Sequence, residues 1–131
     1  MKYILMMNCP STGYDTVGTW PKADLKAHVA FMRNFAKELG ESGVLVGTEG
    51  LADPKQAKLV RAGKNGTPAT DGVFPESKEF LAGYWVIDVE SPGRAYEIAA
   101  RASLAPGPGG DPLYIPIEVR QIMDCVPEEW L

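Results

Sequence analysis

Histidine is almost missing from this chain: His28 is the only one in 131 residues. Cysteine is nearly as scarce, with Cys9 and Cys125 near opposite ends and no Cys-x-x-Cys pair. These shortages exclude the usual zinc ligand sets, so no metal is expected, and the two thiols read as reduced core or surface groups. Basic residues are the minority, 13 Lys and Arg against 17 Asp and Glu, for a net charge of −4. A nucleic-acid-binding face needs the opposite balance, so no nucleic-acid partner is expected. No apolar run is long enough to cross a bilayer, and the opening MKYILMM is too short for a signal segment. No membrane association is expected, and the location reads as cytoplasmic. The Gly-x-Gly-x-x-Gly, Walker and Gly-x-Ser-x-Gly patterns are absent too. Gly107 to Gly110 is glycine-rich but lacks the lysine and the strand–helix setting of a phosphate loop. No cofactor is implied.

What is present is enough for a core. The apolar share is 45%, and the length suits a single domain over 1–131. A chain of this size buries roughly two-thirds of its unfolded surface without help from disulfides or metals. Lys2 to Asn8 is nearly all apolar and reads as a central strand buried on both faces. Pro10 to Trp20 is rich in Ser, Thr, Gly and Pro and reads as a loop. Pro21 suits a first helical residue, and Leu25, Val29, Met32, Phe35, Ala36 and Leu39 recur at helical spacing to about Ser42, with Gly43 as the stop. His28 lies on that stripe, facing the sheet.

Val44 to Leu51 is the second strand, and Gly47 and Gly50 within it mark a bulge or a close approach. Lys58 to Ala62 and Thr67 to Thr70 flank Lys64-Asn65-Gly66, a tight-turn signature, and form an extra hairpin with Pro68 on its edge. Thr70 to Val89 is the centre of the chain's organisation, a polar turn running straight into the strand Gly83 to Val89. Ser91-Pro92 caps a second helix reaching about Leu104, with Ala95, Ile98, Ala99 and Ala102 as its small inner face. Ala105 to Pro112 reads as a flexible loop and Tyr114 to Met123 as the last strand. Val126 to Leu131 is a tail whose Trp130 and Leu131 should dock on the body or on a partner subunit.

This order predicts an α+β fold, the ferredoxin-like split βαβ arrangement, with an antiparallel four-stranded sheet, an extra hairpin and both helices on one face. The open face of such a sheet needs cover if it is apolar. A second copy of the chain supplies it most simply, so a homodimer is expected.

Asp71-Gly72-Val73-Phe74-Pro75-Glu76-Ser77-Lys78-Glu79, followed by Leu81, Gly83 and Tyr84 to Val89, resembles the Asp-Gly-Pro-Phe signature of the YCII-related (DGPF-domain) proteins. Met1 to Met6 is similar to that family's first strand, Glu49-Gly50-Leu51 to its Gly-Glu-Gly-Leu strand end, and Glu118-Val119-Arg120 to its closing strand. Two details depart from the pattern: Val73 stands at the motif proline, with a proline at Pro75 instead, and Thr48 adds a residue after Gly47. The resemblance implies a dimeric α+β barrel. In some relatives it implies an Asp/His pair in a cleft between helix and sheet, and in a few, lyase or dehydrochlorinase action on small aromatic ring compounds. Other relatives accompany extracytoplasmic-function sigma factors, which implies a regulatory or accessory role.

The candidate site follows from these residues. His28 is a general base reaching into the helix–sheet cleft, or a core-edge histidine satisfied by a backbone carbonyl. Asp71 orients His28 or takes a proton itself, or else it caps the turn ahead of Gly72. Glu76, Lys78 and Glu79 shape and charge a substrate pocket, or form a solvated turn, with Glu79 the one expected to be partly buried. Arg120 pairs with Glu79 or with a ligand carboxylate. Phe74, Tyr84 and Trp85 read as core or interface. A cysteine nucleophile would need His28 beside Cys9 or Cys125. Three readings are left standing: cofactor-free proton transfer on a small cyclic or aromatic compound, a non-catalytic metabolite-binding or regulatory module, and a structural homodimer whose motif serves only folding.

Overall fold

A computed structural model describes residues 1–10, 13–72 and 79–131, with Tyr14 described by its backbone alone. The first strand, β1 (Lys2–Pro10), buries Tyr3, Leu5 and Met7 and leaves Ile4 and Met6 half-buried on the other side. The sequence suggested burial on both faces. Within one chain only the odd-numbered face is covered, although both are apolar.

β1 lies between β5 (Glu79–Asp88) and β6 (Ile117–Gln121), and β2 (Leu45–Gly50) flanks β5, giving the order β2-β5-β1-β6. Every pairing in this sheet is antiparallel. Helices α2 (Lys22–Glu41) and α3 (Pro92–Ser103) supply the two long crossovers, as the split βαβ plan requires. The fold is therefore α+β and compatible with the ferredoxin-like class. The sheet is open, with no closed barrel among the described residues. No helix among them is long and apolar enough to cross a membrane.

Local chemistry explains both helices. Gly43 takes a φ of 78° just past α2, a backbone state that costs glycine little, and Val44 N–H then reaches back to the Leu39 carbonyl at 3.2 Å. Pro21 stands at the N-cap, one position before the place its sequence suggested. Ser91 caps α3 by accepting the Arg94 N–H at 3.2 Å. The inner face of α3 is the expected small one, Ala95, Ile98, Ala99 and Ala102, all buried. These small side chains sit with Phe35 and Leu39 of α2 on the Tyr3–Leu5–Met7 and Trp85–Ile87 side of the sheet. Phe35 meets Trp85 edge-on, with ring centroids 5.7 Å apart, and Arg101 of α3 lies over the Phe35 ring while pairing with Glu38.

The hairpin β3 (Lys58–Ala62) and β4 (Pro68–Gly72) forms its own two-stranded sheet, exposed throughout. Its turn uses φ of 65° at Asn65 and 77° at Gly66, the positive pair that Asn-Gly favours.

Several boundaries differ from the sequence reading. The segment 10–20 is not simply a loop: β1 runs to Pro10, and a five-residue helix, α1 (Gly13–Val17), follows. One turn and a half is too short to show a period in the sequence. β5 begins at Glu79, before Gly83. β6 is shorter than Tyr114 to Met123, because Tyr114 has a φ of 52° and Pro116 has no N–H to give a ladder. The loop 105–112 is tied down, with Gly107 N–H to Asp111 O at 2.7 Å and Gly109 N–H to Asp24 Oδ2 at 3.2 Å. The tail does not dock on its own chain: Trp130 is 69% exposed and Leu131 92%.

Candidate functional site

A cavity of about 750 Å³ opens between α2 and the sheet. Its floor is Met7, Thr48, Ala82, Gly83 and Trp85, where β1, β2 and β5 meet. The register of β1 on β5 slips there, from Met7 opposite Gly83 to Asn8 opposite Leu81. A Cβ at Gly83 would stand 3.0 Å from the Glu49 carbonyl oxygen, so β2 and β5 approach at a point with no side chain to fill the space above. Thr16 and Val17 of α1, with Trp20, cover one side, and Leu113 and Ile115 close another.

The α2 wall is His28, Val29, Met32, Arg33 and Ala36. This is a different stripe from Phe35 and Leu39, the α2 residues that fill the core. Two faces of one helix are in use, the first packed on α3 and the sheet, the second left looking into a hollow.

His28 is held by its Nδ1, 2.9 Å from the Pro106 carbonyl oxygen. A carbonyl only accepts, so Nδ1 carries the hydrogen, and a neutral ring then bears its lone pair on Nε2. Trp20 packs against the ring in a T-shaped arrangement, with centroids 5.6 Å apart and planes at 84°. A backbone carbonyl satisfies one nitrogen, as one of the two sequence readings expected, and the side chain also lines the cavity.

The other expected site residues are dispersed. Asp71 is exposed on β4, opposite Leu59, and is not on the cavity wall, so the structure does not bring it together with His28. Glu76 and Lys78, with Phe74 and the rest of 73–78, lie outside the described residues. Glu79 was expected to be partly buried, but it is exposed at the start of β5, opposite Pro10. A strand end leaves its first side chain at the rim. Arg120 is exposed opposite Ile4, whereas its neighbour Val119 pairs with Leu5 on the helix side. The pleat therefore turns Arg120 to the far face of the sheet, away from the cavity and from any ion pair with Glu79.

Cys9 does line the cavity, but burial pushes its thiol up, and the nearby Glu79 charge adds to the effect. Both keep it protonated at neutral pH, which removes the thiolate a nucleophile needs. Cys125 is exposed, and both cysteines are free. Among the described residues no cluster of His, Cys, Asp or Glu is placed to hold a metal ion.

Sequence reading missed Arg33, Trp20 and the helix α1; the length of segment 10–20 did suggest that it folds over something. The signal for Arg33 was its position beside Met32 and four residues after Val29, on the face that His28 shares. Following only apolar residues hid it. The α1 cover is fastened from outside: Lys55 Nζ sits 2.9 and 3.0 Å from the two Asp15 oxygens, and this hydrogen bonding, with the Asp15 charge, raises the Lys55 pKa. Both groups are exposed, so solvent screens the pair.

An open antiparallel sheet with two helices on one face and a largely apolar hollow between helix and sheet defines a ferredoxin-like α+β protein with a small-molecule-sized cavity. The family model for the YCII-related domain matches residues 1–108, and the chain belongs to that family. Comparison with curated proteins gives no match.

Proposed function

We propose that the cavity binds a small, mainly apolar, ring-sized compound and that His28 accepts a proton from it, in a cofactor-free elimination or isomerisation. The observation that carries this reading is the Nδ1 contact to Pro106, which leaves Nε2 of a neutral ring as the acceptor. An imidazole already oriented through one nitrogen loses little freedom in acting as a base with the other. The proton is assigned to His28 alone; Asp71, exposed on β4, is given no part in it. Glu76, Lys78, Glu79 and Arg120 are given no part in proton transfer.

One observation favours a second reading, a non-catalytic metabolite-binding or regulatory module. With Asp71 exposed on the hairpin, no described carboxylate orients the His28 ring. A single experiment separates the two. Trp20 and Trp85 both face the cavity, so a screen of ring compounds should find ligands that change tryptophan emission. Each ligand is then incubated with the protein in D2O and followed by proton NMR. Exchange at an acidic C–H that disappears in His28→Gln supports proton transfer. Binding without exchange supports the module. A screen in which no compound alters the emission removes both.

The protein is further proposed to be a cytoplasmic homodimer. Free Cys9 and Cys125 suit a reducing compartment. Ile4, Met6, Tyr84 and Val86 form an apolar patch on the face opposite the helices, half-buried in the single chain. A second copy would cover it, burying surface that water otherwise meets. Light scattering after size exclusion should give twice the chain mass. A stable monomer at micromolar concentration would remove the dimer.

A further inference from the structure

We infer that the compound held in this cavity is an organic acid, an apolar body carrying one negative group, and that Arg33 pairs with that group; the inference rests on the cavity being a ligand site. The chain as a whole has more acids than bases, yet α2 brings an arginine to the cavity wall. Arg33 is the permanently charged side chain among the α2 residues of the wall, His28 being neutral as the proposed base. Glu49 meets the cavity too, but it pairs with Tyr84 next to the Thr48–Trp85 pair. Trp85 points to the helix side, so the pleat sends the Glu49 side chain to the opposite face, and its backbone is what borders the hollow. Glu79 acts on Cys9 from outside the wall.

Arg33 differs from the paired arginines on the helices. Arg94 is matched by Glu97 and Arg101 by Glu38, whereas Arg33 makes no ion pair among the described residues. It is exposed, which puts its guanidinium at the mouth, with Met32, Trp85 and Ile115 deeper in. An apolar body entering between those three would leave its polar end beside Arg33. A carboxylate there gains a planar, two-pronged partner without displacing an internal acid. Five residues separate Arg33 from His28, a rise of about 7.5 Å along α2, enough for a ring to lie between the charge clamp and the base.

The test compares 2-naphthoate with the neutral 2-naphthamide, of nearly the same shape, by calorimetry on the full chain at low salt. The acid should bind about tenfold more tightly, the size of one charge-assisted hydrogen bond at a partly open site. Arg33→Gln should lower the acid to the affinity of the amide and leave amide binding and the melting temperature unchanged. Arg33→Lys should restore part of the preference. Equal binding of the two probes by the unaltered protein overturns the inference while leaving the cavity a ligand site, as does a preference that survives Arg33→Gln. If neither probe binds, the ligand-site reading falls, and this inference falls with it.

Discussion

On the proposed reading, His28→Gln should cut turnover by orders of magnitude without unfolding the protein. The lost contact is a single hydrogen bond to Pro106 at a partly exposed site, so the stability cost should be about 1 kcal/mol, readable as a small shift in the urea midpoint. The chemical cost is larger. Removing a positioned general base lowers rate by about 10² to 10⁴. Deuterium exchange gives a readout that a merely structural histidine would not move. In His28→Gln, exchange into a bound ligand should be lost while the ligand still binds. Exchange that persists in His28→Gln would assign the proton to another group.

The architecture could be read where the chain gives local instructions. Ser91-Pro92 starts α3, the Ala95–Ile98–Ala99–Ala102 spacing names its buried face, and Asn65-Gly66 turns the hairpin. The strand order then follows from the order of elements, because two crossover helices on one face of an antiparallel sheet leave few alternatives. The site was less legible, for reasons that lie in tertiary structure. His28 was visible because imidazole is rare here and sits on a helical stripe. Arg33 was not, because a charged residue at a stripe edge looks like a solvated face until the cavity wall is seen to include it. Asp71 and Arg120 were chosen by residue type, but strand pairing decides where they face. Asp71 belongs to a separate two-stranded sheet, and the pleat of β6 turns Arg120 away from the helices. The helix α1 had no period to reveal it, and its fastening, Asp15 to Lys55, joins residues far apart in the chain.

Trp85→Ala should be among the single changes most damaging to stability, because this side chain belongs to the core and to the cavity together. It is 5% exposed, pairs across the sheet with Leu5 on one side and Thr48 on the other, and takes the edge contact of Phe35. Truncating a buried aromatic to alanine costs about 3 to 5 kcal/mol. A domain of this size has about 5 to 15 kcal/mol in total, so the urea midpoint should fall steeply. The slope of the transition should stay the same if only the folded state is weakened. Trp130→Ala is the matched control. That ring is 69% exposed, and its loss should leave the single-chain midpoint nearly unchanged. The shared position has a second consequence. A ligand that binds only the folded protein stabilises it by about 2.7 kcal/mol at a hundredfold excess over its dissociation constant. Unaltered protein should therefore melt higher in saturating ligand. Trp85→Ala enlarges the floor of the hollow and removes its broadest apolar contact, so the ligand-induced rise should shrink with the intrinsic stability. Should Trp85→Ala lose stability but keep the full ligand-induced rise, the compound does not rest on this floor, and the site must be sought on another wall of the cavity.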